Sequence, residues 1–553
     1  EAETEAEHTS LEEGTLPAVL KAERLYLLAD KADGVYFSDG RQYVHIGKEE
    51  ADTALSDVFS SGAALFTFGA KPFYKAARRL GFAKTQTLFD AELAAYLLKP
   101  DAKTYDVAAL ARSYVSGATI EGPEDLAALA VLPRLCSELY EQLCAQEMDT
   151  LFNEIELPLC EVLADMEYEG FAVDRAGVEE FGRMLDEGIA EVTEEIYRLA
   201  GRHFNINSTR ELGEVLFEEL KLPAGKKTKT GYSTSAEVLE SIAALHEIVP
   251  AVLEYRKLSK LASTYVTGLL KVVGEDGRVH STFNQTETRT GRISSSEPNV
   301  QNIPVRTKLG SEMRRFFVAR EGYVLVDADY SQIELRILAH IAEDQNMLRA
   351  FNEKADIHTE TAAQVFGLSA DMVPPELRSR AKAINFGIVY GIGAFSLSKQ
   401  INVPVYEAKE YIQSYLKTYS GVAAYQHDIV EAARRDGYVK TMFGRRREVL
   451  DIYSKNKNVR AFAERVALNT PVQGTAADII KLAMIRVHRR IREEGLHAKL
   501  VLQVHDELIV EAREDEAERA AVIVSEEMEH AAQLRVKLVA DVHTGKNWYE
   551  AKQ

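Results

Sequence analysis

The stretch YVLVDADYSQIELRILAHIA, residues 323–342, constrains this chain more than any other. It opens as an apolar strand and then changes period: Ile333, Leu335, Ile337, Leu338 and Ile341 fit the buried face of a helix better than continued alternation. Asp329 therefore falls where a strand gives way to a helix. An acid at a strand end, beside exposed backbone carbonyls, can hold a hard cation such as Mg²⁺, which takes a few oxygens and keeps positions open for phosphate. Taken alone, an Asp after an apolar strand is more often a turn or cap residue. The rest of the chain decides between the two.

At 553 residues, with 46% hydrophobic and 27% charged content, the chain can bury several cores. No apolar run approaches a membrane span, and the acidic start EAETEAEHTS is unlike a signal peptide, so a cytoplasmic, membrane-free protein is expected. That start lacks Met and reads as the cut end of something longer. Cys136, Cys144 and Cys160 are too few and too irregular for a disulfide framework or a zinc site. The net charge of −20 argues at first against nucleic acid, but its distribution is uneven. Residues 1–150 hold 14 Lys and Arg against 25 Asp and Glu, whereas residues 201–310 hold 15 against 12. A basic strip on an acidic body is compatible with DNA without demanding it.

Residues 21–148 read as α/β: RLYLLAD, GVYFSDG, RQYVHIG and AALFTFG are strands, followed by helical DAELAAYLL and EDLAALAVLPRLCSELYEQL. From 150 to 270 the pattern is helical, with long amphipathic runs on either side of KLPAGKKTKTGYS. That break is either a solvated loop or a phosphate-contacting tip using Lys226, Lys227 and Lys229. Residues 286–306, TETRTGRISSSEPNVQNIPVR, are dense in side chains that donate to sugar, phosphate and minor-groove acceptors, though a polar loop has the same composition. Residues 346–440 are mostly helical and 441–553 mixed α/β.

Two further motifs accompany Asp329. In KLVLQVHDELIVEA, residues 499–512, two apolar runs flank a turn expected to carry Asp506 and Glu507, and adjacent acids repel unless a cation offsets them. In PPELRSRAKAINFGIVYG, Pro374 and Pro375 suit a helix start and Gly391 its end, so Arg378, Lys382, Phe386 and Tyr390 recur every four residues along one stripe. Two cations followed by two aromatics fit a nucleoside triphosphate laid along the helix. A helix with a solvated basic end and a buried aromatic end has the same pattern.

Taken together, DYSQIELR, RSRAKAINFGIVYG and QVHDEL, in this order and preceded by TGRISSSEPNVQNIP, resemble the signature motifs of the family A DNA polymerases. The resemblance runs from about residue 150 to the end, through GTAADIIK and GKNWYEAK, and is nearest to a bacterial large-fragment type. It implies a multidomain α+β and α/β fold: a right-hand polymerase with palm, fingers and thumb, preceded by a ribonuclease H-like exonuclease-type α/β domain. The divisions would be 1–148 exonuclease-like, 149–280 thumb, 281–345 first palm part, 346–441 fingers and 442–553 second palm part.

The implied activity is template-directed addition of dNTPs to a primer 3′-hydroxyl with two Mg²⁺ ions, Mn²⁺ being a substitute. The expected partners are primer-template DNA and dNTPs, with the chain a monomer in the bacterial cytoplasm. By the same resemblance Asp329, Asp506 and the Tyr330 carbonyl would hold metal, and Glu507 would be an accessory acid. Arg378, Lys382 and His358 would hold the triphosphate, Phe386 would pack on the sugar, and Tyr390 and Gln332 would line the nucleotide site. Glu334 would crowd the sugar 2′ position, which also argues against the rival reading, a single-subunit RNA polymerase. Arg292 and Gln473 would read the minor groove, with Asn299, Gln301, Arg465 and His505 as further DNA contacts.

The first domain departs from the family pattern. A 3′→5′ exonuclease of this family uses an Asp-x-Glu on its first strand, an Asp in a following helix and an Asp four residues after a Tyr. Here the first strand reads RLYLLADKADGVYF, residues 58–89 contain no acid, and Tyr140 is followed four positions on by Cys144. Asp30, Asp33 and Asp90 remain. The expectation is a vestigial exonuclease fold and no proofreading.

Overall fold

The structure is a computed structural model that describes residues 11–552 except 31, 33, 83–85, 117–122, 225–226, 229–230 and 304–307, with backbone alone at 227, 228 and 308. Lys226, Lys229 and Asp33 thus lie outside the described residues, and so does the Lys227 side chain. The chain forms two compact units. One comprises residues 1–169, 282–296 and 322–544; the other comprises 170–281, 297–321 and 545–553. Among the described residues no helix is long and apolar enough to cross a membrane.

The larger unit contains two sheets of four or more strands among its described residues. Arg24–Ala29, Val35–Ser38, Gln42–Ile46 and Ala64–Thr67 form the expected strands of a six-stranded sheet, completed by Glu12–Glu13 at one edge and Phe89–Asp90 at the other. Leu25, Tyr26, Leu27 and Leu28 are all buried, because this strand is covered on both faces, and that is why its sequence is a continuous apolar run. The helices Ala91–Leu98 and Glu124–Ala145 also form where the periodicity placed them, the second accommodating Pro133. Their apolar faces join one core with Phe152, Ile155 and Cys160.

The second sheet has four strands. Tyr323–Tyr330 lies between Glu507–Arg513 and Ala540–Gly545, and Ala498–Val504 pairs on the far side of Glu507–Arg513. Leu325, Val326, Ala328, Leu508, Ile509 and Val510 are buried, so both faces of these two strands are covered. The 37-residue helix Lys457–Glu493 packs beside it and carries small residues, Gly474, Thr475, Ala476 and Ala477, where neighbours approach closely.

In the smaller unit Arg175–Ala200 is a single amphipathic helix. The second run read as helical is instead divided into Ala236–Ser241 and Ile248–Lys260, the latter continuing through a wide-turn segment Leu261–Thr267 into Gly268–Val272. Pro250 explains the restart: a proline is tolerated in a helix's first turn, where its missing N–H has no intrahelical acceptor, and not in its middle. Their buried faces share a core with Phe204, Leu212 and Leu216.

Candidate active site

The antiparallel ladder sets Asp329 directly opposite Glu507. Facing residues of such a ladder lie about 5 Å apart at Cα with their side chains on the same face. Asp506 occupies the adjoining turn, where its carbonyl accepts from the Tyr330 amide at 3.1 Å. The turn is His505–Asp506, not Asp506–Glu507 as the sequence suggested: His505 adopts a left-handed φ of 54°, its carbonyl accepts from Gln503 Nε2 at 2.6 Å, and Glu507 already belongs to the strand. Apolar Leu508 and Val510 draw Glu507 into the ladder, so it is 5% exposed while Asp506 is half-buried.

The Tyr330 phenol donates to the Met528 carbonyl at 2.7 Å, and burial raises its pKa. What Tyr330 can offer a cation is therefore its backbone carbonyl. Among the described residues no group of three or more His, Cys, Asp and Glu side chains gathers as a metal cage. The donors at this sheet end, two Asp carboxylates, Glu507 and a peptide carbonyl, are hard oxygens of the kind Mg²⁺ takes alongside substrate phosphates and water, and they fit that ion.

Past the strand, Gln332 takes a left-handed φ of 54° and starts the helix Ile333–Ile341. Glu334 follows in its first turn, 8% exposed. One Glu334 oxygen accepts from Arg292 Nη2 at 2.8 Å and the other from the Tyr390 hydroxyl at 2.8 Å. One carboxylate thus joins three segments that are distant in sequence. Burial, and then the neighbouring Glu334 charge, keep the Tyr390 phenol protonated.

The helix bearing the cation and aromatic stripe spans Pro375–Val389, with Tyr390 at its end and Gly391 at φ 65°. Arg378 and Lys382 are exposed, Phe386 is half-buried and Tyr390 is 37% exposed. Arg378 pairs with Asp356, the N-cap of the helix Ile357–Phe366. Burial works against ionisation of Asp356, yet Arg378, Thr359 and the His358 amide outweigh it and hold the carboxyl at about 2.

His358 is 2% exposed, and burial pushes its imidazole down to about 4. It is therefore neutral at pH 7. Asn385 Nδ2 lies 3.0 Å from His358 Nδ1, which places the proton on Nε2, a buried nitrogen with no hydrogen-bond partner. The Phe386 ring centre lies 5.9 Å from the imidazole. Asp356 and Asn385 escaped the sequence reading, although an Asp just before an apolar periodic run is a capping signal that could have found the first.

Gln473 is half-buried in the long helix, and Arg465, on the same helix, is exposed with its guanidinium 5.8 Å from the Phe462 ring. His505 is exposed. Asn299 and Gln301 belong to the smaller unit, where the Asn299 side chain accepts from the Gln301 amide to open the short turn Val300–Asn302.

In the six-stranded sheet, Asp30 accepts from the Ala32 and Gly34 amides at 2.7 Å each and pairs with His45 at 2.6 Å. The His45 hydrogen bond is the main reason its pKa is lowered. Asp90, 2% exposed, accepts from the amides of Gly69, Ala70 and Glu92. Tyr140 packs against the Phe89 and Phe152 rings and accepts from Asn153 Nδ2.

The arrangement is a family A polymerase fold. The polymerase domain of Pol1 from M. smegmatis, solved in complex with DNA primer-template and dNTP, superposes with a TM-score of 0.90 at 36% identity, covering 97% of this chain and 98% of that one. Residues 175–550 match the model of DNA polymerase family A, and the chain belongs to that family. It is 49% identical over 486 residues to DNA polymerase I of Bacillus caldotenax, covering 84% of this chain and 55% of the relative. The thermostable DNA polymerase I of Thermus aquaticus is 47% identical over 468 residues, with coverage of 84% and 55%. The chain spans about half the length of the curated relatives it matches.

Proposed function

We propose that this chain is a DNA-directed DNA polymerase that adds dNTPs to a primer 3′-hydroxyl and does not proofread. The observation that carries the reading is the register that places Asp329 opposite Glu507 with Asp506 in the adjoining turn. Family membership and the primer-template and dNTP bound by the M. smegmatis polymerase domain support it.

Asp329, Asp506 and the Tyr330 carbonyl would hold Mg²⁺. When bound, such ions lower the pKa of the attacking hydroxyl and offset charge on the reacting phosphate and departing pyrophosphate. Arg378 and Lys382 are placed one turn apart to take triphosphate oxygens, and Arg378 must exchange Asp356 for phosphate to do so. Neutral His358 contributes as an Nε2–H donor and not as a charge. Phe386 offers an apolar face to the sugar. Glu334, fixed from both sides by Arg292 and Tyr390, presents a rigid obstacle to a 2′-hydroxyl. Arg292 and Gln473 supply donors for purine N3 and pyrimidine O2, acceptors that every correct pair presents in the minor groove.

Loss of proofreading is supported by the engagement of Asp30 with the Ala32 and Gly34 amides and of Asp90 with those of Gly69 and Ala70. The test is extension of a labelled primer with Mg²⁺ and dNTPs or rNTPs, together with a 3′-labelled mismatched primer incubated without nucleotides. Extension with dNTPs and no label release is expected. Extension with rNTPs at equal efficiency would restore the RNA polymerase reading.

A further inference from the structure

Beneath the loop that carries Arg292 lies a four-charge cluster with almost no exposure. Glu156, Asp478 and Lys481 are 0% exposed and Arg445 is 4% exposed. Arg445 Nε and Nη2 donate to Asp478 Oδ1 at 2.9 and 2.6 Å, and Nη2 also donates to Glu156. Lys481 Nζ donates to Glu156 Oε1 at 2.6 Å, Thr441 Oγ1 to Asp478 Oδ2 at 2.8 Å, and Gln285 Nε2 to Glu156 Oε2 at 2.9 Å. Burial would raise the Glu156 carboxyl, but Lys481 and Arg445 outweigh it and hold it at about 2. Two positive and two negative groups therefore balance in a buried site. Replacing such a set by apolar residues is often neutral for stability, so what this set contributes is sought in geometry.

The cluster meets the backbone at Gly291. Its φ is 85°, and a Cβ there would lie 2.6 Å from Arg445 Nε and 2.9 Å from Cζ, so the guanidinium lies against the backbone next to Arg292. From the other side the Tyr96 hydroxyl donates to the Thr288 carbonyl at 2.7 Å, and Thr288 Oγ1 donates to the Arg292 carbonyl at 2.5 Å. Gly474 beside Gln473 has the same closeness to the cluster: a Cβ there would lie 2.5 Å from Thr441 Cγ2 and 3.4 Å from the Thr290 carbonyl.

We infer that Arg445 is a positioning residue that sets, through Gly291, where Arg292 meets the minor groove of the primer terminus. It touches neither nucleotide nor primer. The planar fork, held by two acids, provides a flat fixed surface under residues 288–292 that a flexible ammonium cannot reproduce. The inference rests on the reading of Arg292 as a minor-groove donor.

The experiment is single-turnover extension of primers ending in guanine or in 3-deazaguanine, which lacks the N3 acceptor, by the parent, Arg292→Ala, Arg445→Lys and Gly291→Ala. The parent should be slowed about tenfold or more by the deaza base and Arg292→Ala should be insensitive to it. Arg445→Lys should extend the guanine primer more slowly and lose most of the sensitivity, to within about threefold, with dNTP affinity little changed. Gly291→Ala displaces the loop without removing any charge of the cluster and should do the same, which covers the case of an Arg445→Lys protein that does not fold. If the parent and Arg292→Ala respond alike to the deaza base, the reading of Arg292 falls and the inference with it. If Arg292→Ala is insensitive while Arg445→Lys or Gly291→Ala keeps the parent's sensitivity, the inference alone is overturned.

Discussion

Two sheets in the larger unit each end in acids, and they dispose them differently. In the four-stranded sheet the ladder sets Asp329 opposite Glu507 at the end of two inner strands, with Asp506 in the adjoining turn. In the six-stranded sheet, Thr67 pairs with both Leu27 and Asp90, so Asp30 sits two strands across and three residues along from Asp90. That is roughly 14 Å between Cα atoms at ordinary strand spacing. Each of those acids is then turned to a local task, Asp30 closing a turn and Asp90 capping a helix. A cation needs carboxylates that converge. Dispersed acids that satisfy backbone amides cannot supply that convergence.

The largest effect expected from this contrast is at the converging acids. Asp329→Asn or Asp506→Asn should leave primer-template binding largely intact and slow single-turnover extension by a factor on the order of 10³ or more, several kcal/mol at the barrier. Extension within tenfold of the parent would remove the distinction between the two sheets. At the dispersed acids, Asp90→Ala should cost about 2 kcal/mol of stability, because three amides, that of Ala70 buried, lose their acceptor, and leave 3′-label release at background. A nuclease activity that this substitution abolishes would mean the first sheet still holds metal.

The remaining predictions compare two enclosed glutamates. Glu334 has Arg292 and Tyr390 as donors, whereas Glu92 has the Thr286 hydroxyl and lies beside buried Asp90. Glu334→Ala should raise the relative use of ribonucleotides by about tenfold or more, roughly 1.4 kcal/mol, while lowering the overall rate. Unchanged discrimination in a dNTP against rNTP competition would contradict the gate.

Glu92 should have the smallest effect. Burial, and then the charge of Asp90, raise its carboxyl from 4.5 to about 7. Between those values the folded protein keeps a proton that the unfolded chain has released, so this group's contribution to stability declines as pH rises through the window. Glu92→Gln should therefore match the parent near pH 4 and exceed it by about 1 kcal/mol or more near pH 8, read as a pH-dependent difference in denaturant midpoint. An equal difference at both values would mean that Glu92 is not titrating as described.

The sequence by itself determined the element types near the site and the order of the motifs. The period change at Asp329, the start of the stripe-bearing helix at Pro375 and its end before Gly391 are local properties of side-chain spacing and backbone freedom, and they appear where they were read. Local information also failed at identifiable places. The hairpin turn moved one residue toward the N-terminus because pairing with Tyr323–Tyr330 draws Glu507 into the ladder, a constraint from a strand about 180 positions away. Only the tertiary structure could bring Glu334, Arg292 and Tyr390 onto one carboxylate, bury His358 until it is neutral, and enclose Glu156, Arg445, Asp478 and Lys481 together. Periodicity reports which face of an element is apolar. Which buried charges meet depends on how separate elements pack, and no local spacing records that.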